Sequence, residues 1–154
     1  MSGRLEELLA KKRERQEKVK IDHVAERETW VSLVSDLMTR IHGWLKPLEE
    51  REYLRTYRRE RVIREDQLGE YTIDGLHIEF VDGQSIDIQP IGRFIIEGEG
   101  RVDLQAGTRT IMIVHTGQGE WQFAERTGRH GPPKTWPFNQ ATFEELLAEI
   151  IEEE

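Results

Sequence analysis

The amino-acid sequence predicts an α+β protein. A long N-terminal helix, whole or broken in two, packs on an antiparallel meander of six or seven strands, and a C-terminal helix closes the structure. Three observations predict this. Apolar residues recur with a helical period as far as Leu48. Beyond Leu68 the period changes to two, and glycine stands at nearly every junction. Near the end, FEELLAEII regains the helical period behind TFEE at residues 142–145, which reads as a capping box with Thr142 as the cap. The 154 residues suit one domain, 1–154, with helical segments over 1–66, the meander over 67–126, a proline- and glycine-rich connection over 127–140 and the closing helix over 141–154.

In the front helix, Val24, Val31, Val34, Met38, Ile41, Leu45 and Leu48 follow a 7-3-4-3-4-3 spacing, with Arg27 out of pattern. Trp30, Leu37 and Trp44 recur every seven residues beside that seam and widen the apolar stripe. A wide stripe suits a helix laid on a sheet rather than a bare two-stranded coil. Leu5, Leu8 and Leu9 lie outside the register of that seam. Between them and it runs KKRERQEKVK, residues 11–20, with six bases and two acids on strong helix formers. One helix from residue 4 to 45 is about 60 Å long, against a radius of gyration of about 15 Å for a chain of this size. Either the helix breaks, with Asp22 as a new N-cap, or its first half projects. A projecting arm needs a partner to bury Leu5, Leu8 and Leu9, and the partner expected is a second copy of the chain.

A second helix is expected from Pro47, with Glu49 and Glu50 in its first turn. It carries Arg51, Arg55, Arg58, Arg59, Arg61 and Arg64, with Tyr53 and Tyr57 four residues apart on one face. Arginine interleaved with tyrosine is a surface that phosphate or nucleic acid can use. The other reading turns Tyr53, Leu54 and Tyr57 to the core and the arginines to carboxylates elsewhere. Such carboxylates exist: residues 1–66 hold 16 Lys and Arg against 14 Asp and Glu, and residues 67–154 hold 6 against 16.

Strands are expected over 70–74, 76–81, 84–90, 93–97, 100–106, 109–116 and 119–125, with glycines at the junctions. Side-chain parity selects the hairpin registers. In LHIEFVDGQSIDI a three-residue loop, Val81-Asp82-Gly83, with Gly83 left-handed, sets Ile78 against Ile86 and Leu76 against Ile88. In RVDLQAGTRTIMIV a two-residue Gly107-Thr108 turn of type II′ sets Leu104 against Ile111 and Val102 against Ile113. The apolar run at 111–114 marks a strand covered on both faces, expected at the centre. GEGRVDL is followed by a strand and not a helix, so its glycines are turn punctuation rather than a phosphate cradle. The stretch QPIGRFIIEGEGRVDL, the strand after it, the tryptophan-bearing strand and the closing FxELL helix resemble segments of small uncharacterised bacterial proteins. The resemblance covers the C-terminal half; it implies an α+β fold and carries no activity or functional residue.

The motifs of nucleophilic, metal and phosphate chemistry are absent. With no cysteine there is no disulfide, thiolate metal site or cysteine nucleophile. His77 and Glu79 share a strand face, and Asp87 on the next strand is read as facing the other way, so no third metal ligand is expected. No catalytic, cofactor-binding or metal residue is expected. The most site-like cluster is the loop with Arg126, Arg129, His130, Lys134 and Trp136, for which the alternative is a clamp on the sheet end. No apolar run reaches the length of a membrane span, and MSGRLEELLAKKRERQ has no secretory h-region, so a cytoplasmic protein is expected. The function expected is that of a non-catalytic interaction or accessory protein, a homo-oligomer, in particular a dimer, formed through Leu5, Leu8, Leu9, Lys11, Lys12 and Arg13 with Arg51, Arg55, Arg58 and Arg59. The alternatives are a nucleic-acid-associated protein using residues 11–20 and 51–64, and a small-ligand binder with a cavity lined by Trp30, Trp44, Phe80 and Trp121.

Overall fold

The computed structural model describes residues 3–66, 68–93, 100–117 and 119–153. Among them, helix α1 (Gly3–Glu50) precedes seven strands and helix α2 (Gln140–Glu152). The strands are β1 (Leu54–Glu65), β2 (Gly69–Phe80), β3 (Ser85–Gly92), β4 (Arg101–Ala106), β5 (Arg109–His115), β6 (Trp121–Glu125) and β7 (Lys134–Pro137). They form one sheet in chain order, each antiparallel to its neighbour. The architecture is α+β, a long helix on an antiparallel meander with a second helix closing it. No helix among the described residues is long and apolar enough to cross a membrane.

α1 is one uninterrupted helix of 48 residues, about 72 Å long. Its first half is rich in Leu, Lys, Arg and Glu, with neither glycine nor proline from residue 4 to 42, so nothing breaks it and Asp22 sits mid-helix rather than at a cap. Trp30, Val34, Leu37, Met38, Ile41 and Leu45 are buried, Val31, Leu33, Trp44 and Leu48 are half-buried, and Val24 is exposed. The buried stripe therefore starts at Trp30 and leaves the first half of the helix outside the body.

Pro47 does not begin a second helix. It lies in the last turn of α1, which ends in a Schellman motif. The Tyr53 amide donates to the Leu48 carbonyl (3.0 Å) and the Glu52 amide to the Glu49 carbonyl (2.9 Å). Glu52 holds the left-handed position, φ 63°, which usually falls to glycine. The Glu49 carboxylate then ties the two elements together, accepting from the Thr56 amide (2.8 Å), the Thr56 hydroxyl (2.9 Å) and His42 Nε2 (3.1 Å). Burial works to raise the Glu49 carboxyl, but these donors outweigh it and hold it below the ordinary carboxylate range. The residues expected as the second helix are instead β1, paired with β2 along its whole length from Leu54↔Phe80 to Glu65↔Gly69. Arginine's helix propensity is a small preference that such a ladder overrides.

Both hairpin registers follow parity: Ile78↔Ile86 and Leu76↔Ile88 across a loop with Gly83 at φ 92°, and Leu104↔Ile111 and Val102↔Ile113 across a turn with Gly107 at φ 59°. Gly75 is not a junction. β2 runs through it, and its absent side chain permits a close approach, since a Cβ there would lie 2.8 Å from the Ile88 carbonyl oxygen. Burial along β2 changes phase at this point, from Tyr71 and Ile73 to Leu76 and Ile78. All four join one core cluster, so the β1–β2 ribbon turns over at the glycine. The strand expected over 93–97 falls, beyond Arg93, outside the described residues. β5 is the fifth strand rather than the central one, and Met112 on its outer face is only half-buried.

Two features lie in the segment read as irregular connection. β7 pairs with β6, Phe123↔Trp136 at its middle, and ends the sheet with a four-residue strand where Pro137 is tolerated at an edge. α2 is capped one turn earlier than expected: Asn139 accepts from the Thr142 amide (2.9 Å) and the Thr142 hydroxyl accepts from the Asn139 amide (3.0 Å). Thr142 is thus the third helical residue of the box and not its cap. α2 buries Phe143, Leu146, Leu147 and Ile150. Trp44 bridges the two helices, its ring 5.4 Å from Phe138 and 5.6 Å from Phe143. Arg109 holds the far end of α2 to the sheet, donating to Glu125 (2.8 and 3.0 Å), Glu149 (3.2 Å) and Glu153 (3.0 Å). The Glu125 carboxylate raises the already high pKa of that guanidinium further.

Candidate functional site

The arm is the part of the structure that its own body does not support. Every residue from 3 to 22 is exposed, including Lys11, Lys12 and Arg13. Leu5, Leu8 and Leu9 are 61%, 48% and 57% exposed. Helical periodicity carries the buried face back from Trp30 through Glu26, His23, Val19, Gln16 and Lys12 to Leu9 and Leu5. Leu5 and Leu9 therefore share the register of Trp30 and Leu37, and not that of the Val31–Val34–Met38 seam, and Leu8 stands beside them. Leu5, Leu8 and Leu9 stand at i, i+3 and i+4, a compact apolar patch on one side of the helix.

The arginines expected on a helix are divided between the two faces of β1. Arg58 turns toward α1, donating to Asp74 (3.1 Å) and to the Thr39 hydroxyl (2.6 Å). Arg59 lies 3.7 Å from Asp87 on the opposite face, which Arg55 and Tyr57 share by alternation. Arg51 is exposed just beyond α1. The structure thus brings none of Arg51, Arg55, Arg58 and Arg59 to the arm. Charged side chains along a twelve-residue edge strand instead oppose its pairing with another sheet.

His77 is buried on the outer face of the sheet, with Nδ1 2.6 Å from Asp87 and Nε2 3.3 Å from Glu79. Asp87 shares its face, contrary to expectation: the register Ile78↔Ile86 itself makes His77 and Asp87 partners. Tyr57, opposite His77 on β1, brings its ring to 6.1 Å. Both ring nitrogens are thus occupied by the chain's own carboxylates, and the group acts as a cross-strand clamp. Among the described residues no group of three or more His, Asp or Glu side chains is arranged to hold a metal ion.

The loop cluster does not converge. Arg126, Arg129 and His130 are exposed, whereas Lys134 and Trp136 belong to β7. Trp136 stacks on Phe123 at 5.2 Å, and Lys134 lies over the Trp136 ring at 5.4 Å, so both secure the sheet end. The four aromatic residues expected around one cavity are likewise separate. Trp30 packs on Trp121 at 6.1 Å and closely over Gly100, Trp44 packs between the helices, and Phe80, at the β2–β3 turn, alone of the four lines a groove there.

A groove not anticipated from the sequence lies between the C-terminal turns of α1, the β2–β3 turn and α2. Its volume is about 500 Å³, and its lining is mainly apolar, with Leu45, Leu54 and Leu147 beneath exposed Tyr53, Val81 and Ile151. Asp82 and Glu144 are its acidic members. Two signals pointed there: Val81 is an apolar residue inside a tight turn, and Ile151 stands off the stripe that α2 buries. Comparison with protein-family models, with curated proteins and with solved structures finds no match to this chain.

Proposed function

We propose that this is a non-catalytic accessory protein that self-associates through its N-terminal helical arm, in the first instance as a dimer. The observation that carries the reading is that every residue from 3 to 22 of α1 is exposed, the leucine patch among them. None of residues 3–22 is buried against the body, whereas most helical stability in proteins comes from packing an amphipathic face, and each leucine fully removed from water contributes about 1.5–3 kcal/mol. Association therefore has an apolar driving force located at the end of the chain that lacks one of its own. The absence of cysteine fits a reducing compartment such as the cytoplasm.

Sedimentation velocity on the intact chain at micromolar concentration tests this. The expected species is twice the 18.1 kDa of one chain, and Leu5→Ser with Leu9→Ser is expected to shift it to the monomer without altering the thermal melt of the body. A wild-type monomer at that concentration would overturn the proposal.

A further inference from the structure

We infer that the leucine-bearing end of the arm seats in the groove of a second copy, between the end of α1 and α2, with Lys11, Lys12 and Arg13 alongside the acidic surface of α2. The inference rests on the reading that the arm mediates self-association, and it names the surface that receives it. The groove has an apolar floor and exposed apolar rims, Tyr53 at 51%, Val81 at 78% and Ile151 at 36%. A helix presenting apolar residues at i, i+3 and i+4 is the ordinary occupant of such a groove between secondary-structure elements.

The arm of the same chain cannot reach it. Leu9 and Leu45 lie on one unbroken helix, about 54 Å apart along the axis. Charge then selects the occupant. α2 contains no lysine or arginine, and Glu144, Glu145 and Glu152 are exposed on it. Directly after its leucines the arm presents Lys11, Lys12, Arg13 and Arg15. An arm seated by its leucines carries four bases within two helical turns of the groove, where Glu144 and Asp82 already line the wall. Each copy both gives an arm and accepts one, so two copies close on each other by a two-fold axis.

The test uses full-length variants. A groove variant, Val81→Asp with Ile151→Asp, changes two solvent-exposed side chains, and an arm variant is Leu5→Asp with Leu9→Asp. Each alone is expected to weaken dimerisation by about tenfold or more. An equimolar mixture of the two is expected to recover a heterodimer, because the intact arm of one matches the intact groove of the other. Glu144→Lys with Glu145→Lys is expected to weaken the dimer, and Lys11→Glu with Lys12→Glu added in the same chain to restore it. A groove variant that dimerises like wild type, or a mixture that stays monomeric, overturns the groove as receptor while self-association through arm–arm pairing stands. A wild-type monomer removes the earlier reading and this one with it.

Discussion

Gly100→Ala measures how tightly Trp30 roofs the sheet. Gly100 immediately precedes β4, and a Cβ built on it would lie 2.3 Å from Trp30 Cζ3, 2.8 Å from Cη2 and 3.0 Å from Cε3. Carbon atoms are comfortable at about 3.5–4.0 Å, so the methyl group overlaps the ring by more than about 1 Å. Trp30 is fully buried, with Trp121 packed against it. Overpacking of this kind costs about 1–3 kcal/mol, against a gain of about 0.4–1 kcal/mol from the less flexible unfolded chain. The expected net loss is about 1 kcal/mol, a measurable part of the ~5–15 kcal/mol that holds a domain together. Urea denaturation at constant m-value reads it directly. Trp30→Leu removes all three clashing atoms. In that background, which is itself less stable by about 2–3 kcal/mol, only the unfolded-state gain remains and Gly100→Ala should stabilise by about 0.4–1 kcal/mol, giving a coupling of about 2 kcal/mol. If Gly100→Ala costs the same with Trp30 present or absent, the two do not meet and the packing argument fails.

Two further outcomes follow from the junction between α1 and β1. Glu52→Gly relieves a left-handed backbone that costs an L-residue about 1–2 kcal/mol; after the added unfolded-state entropy of glycine it should stabilise the protein by about 0.5–1 kcal/mol, and a lowered urea midpoint would refute the Schellman assignment. The Glu49 carboxyl titrates lower in the folded chain than in the unfolded one, so its contribution is present above about pH 4.5 and is lost as pH falls through the folded value. Glu49→Gln should therefore be less stable than wild type at pH 7, and the difference should shrink toward pH 3.5; parallel stability curves would show that the Thr56 and His42 contacts do not hold this carboxylate.

Much of the meander was legible because one face of it is dry. Where Ile78, Ile86, Leu104 and Ile111 must all reach the same core, a slip of one residue would turn every side chain to the wrong side, so parity alone selects both hairpins. The same parity sets His77 opposite Asp87 on the other face. β1 was hidden for the opposite reason. Apart from Leu54 its side chains are exposed or half-buried, so no period of two marks it, and its arginines favour a helix locally. β7 is too short, and too close to Pro132 and Pro133, to carry a pattern. The N-cap of α2 was displaced by one turn because Asn139 and Thr142 can each start a box, and the backbone chose the earlier.

The candidate surfaces divide in the same way. The leucines of the arm were visible as apolar residues without a register, and only the burial of Trp30 and Leu37 showed which register they belong to. The groove was marked only at its rim, by Val81 and Ile151, since it is assembled from the end of α1, a turn between strands and one side of α2, segments that no local pattern connects. Arg58 looked like part of a basic helix and is engaged by Asp74 and Thr39, contacts that depend on the strand pairing.

Hydrogen exchange of residues 3–22, followed by mass spectrometry across a dilution series of the intact chain, tests most directly whether the arm depends on a second copy. Protection of these amides should rise with protein concentration over the range in which the dimer forms, while the amides of β2 to β5 stay protected throughout. Arm amides that exchange at one and the same rate at every concentration would contradict it.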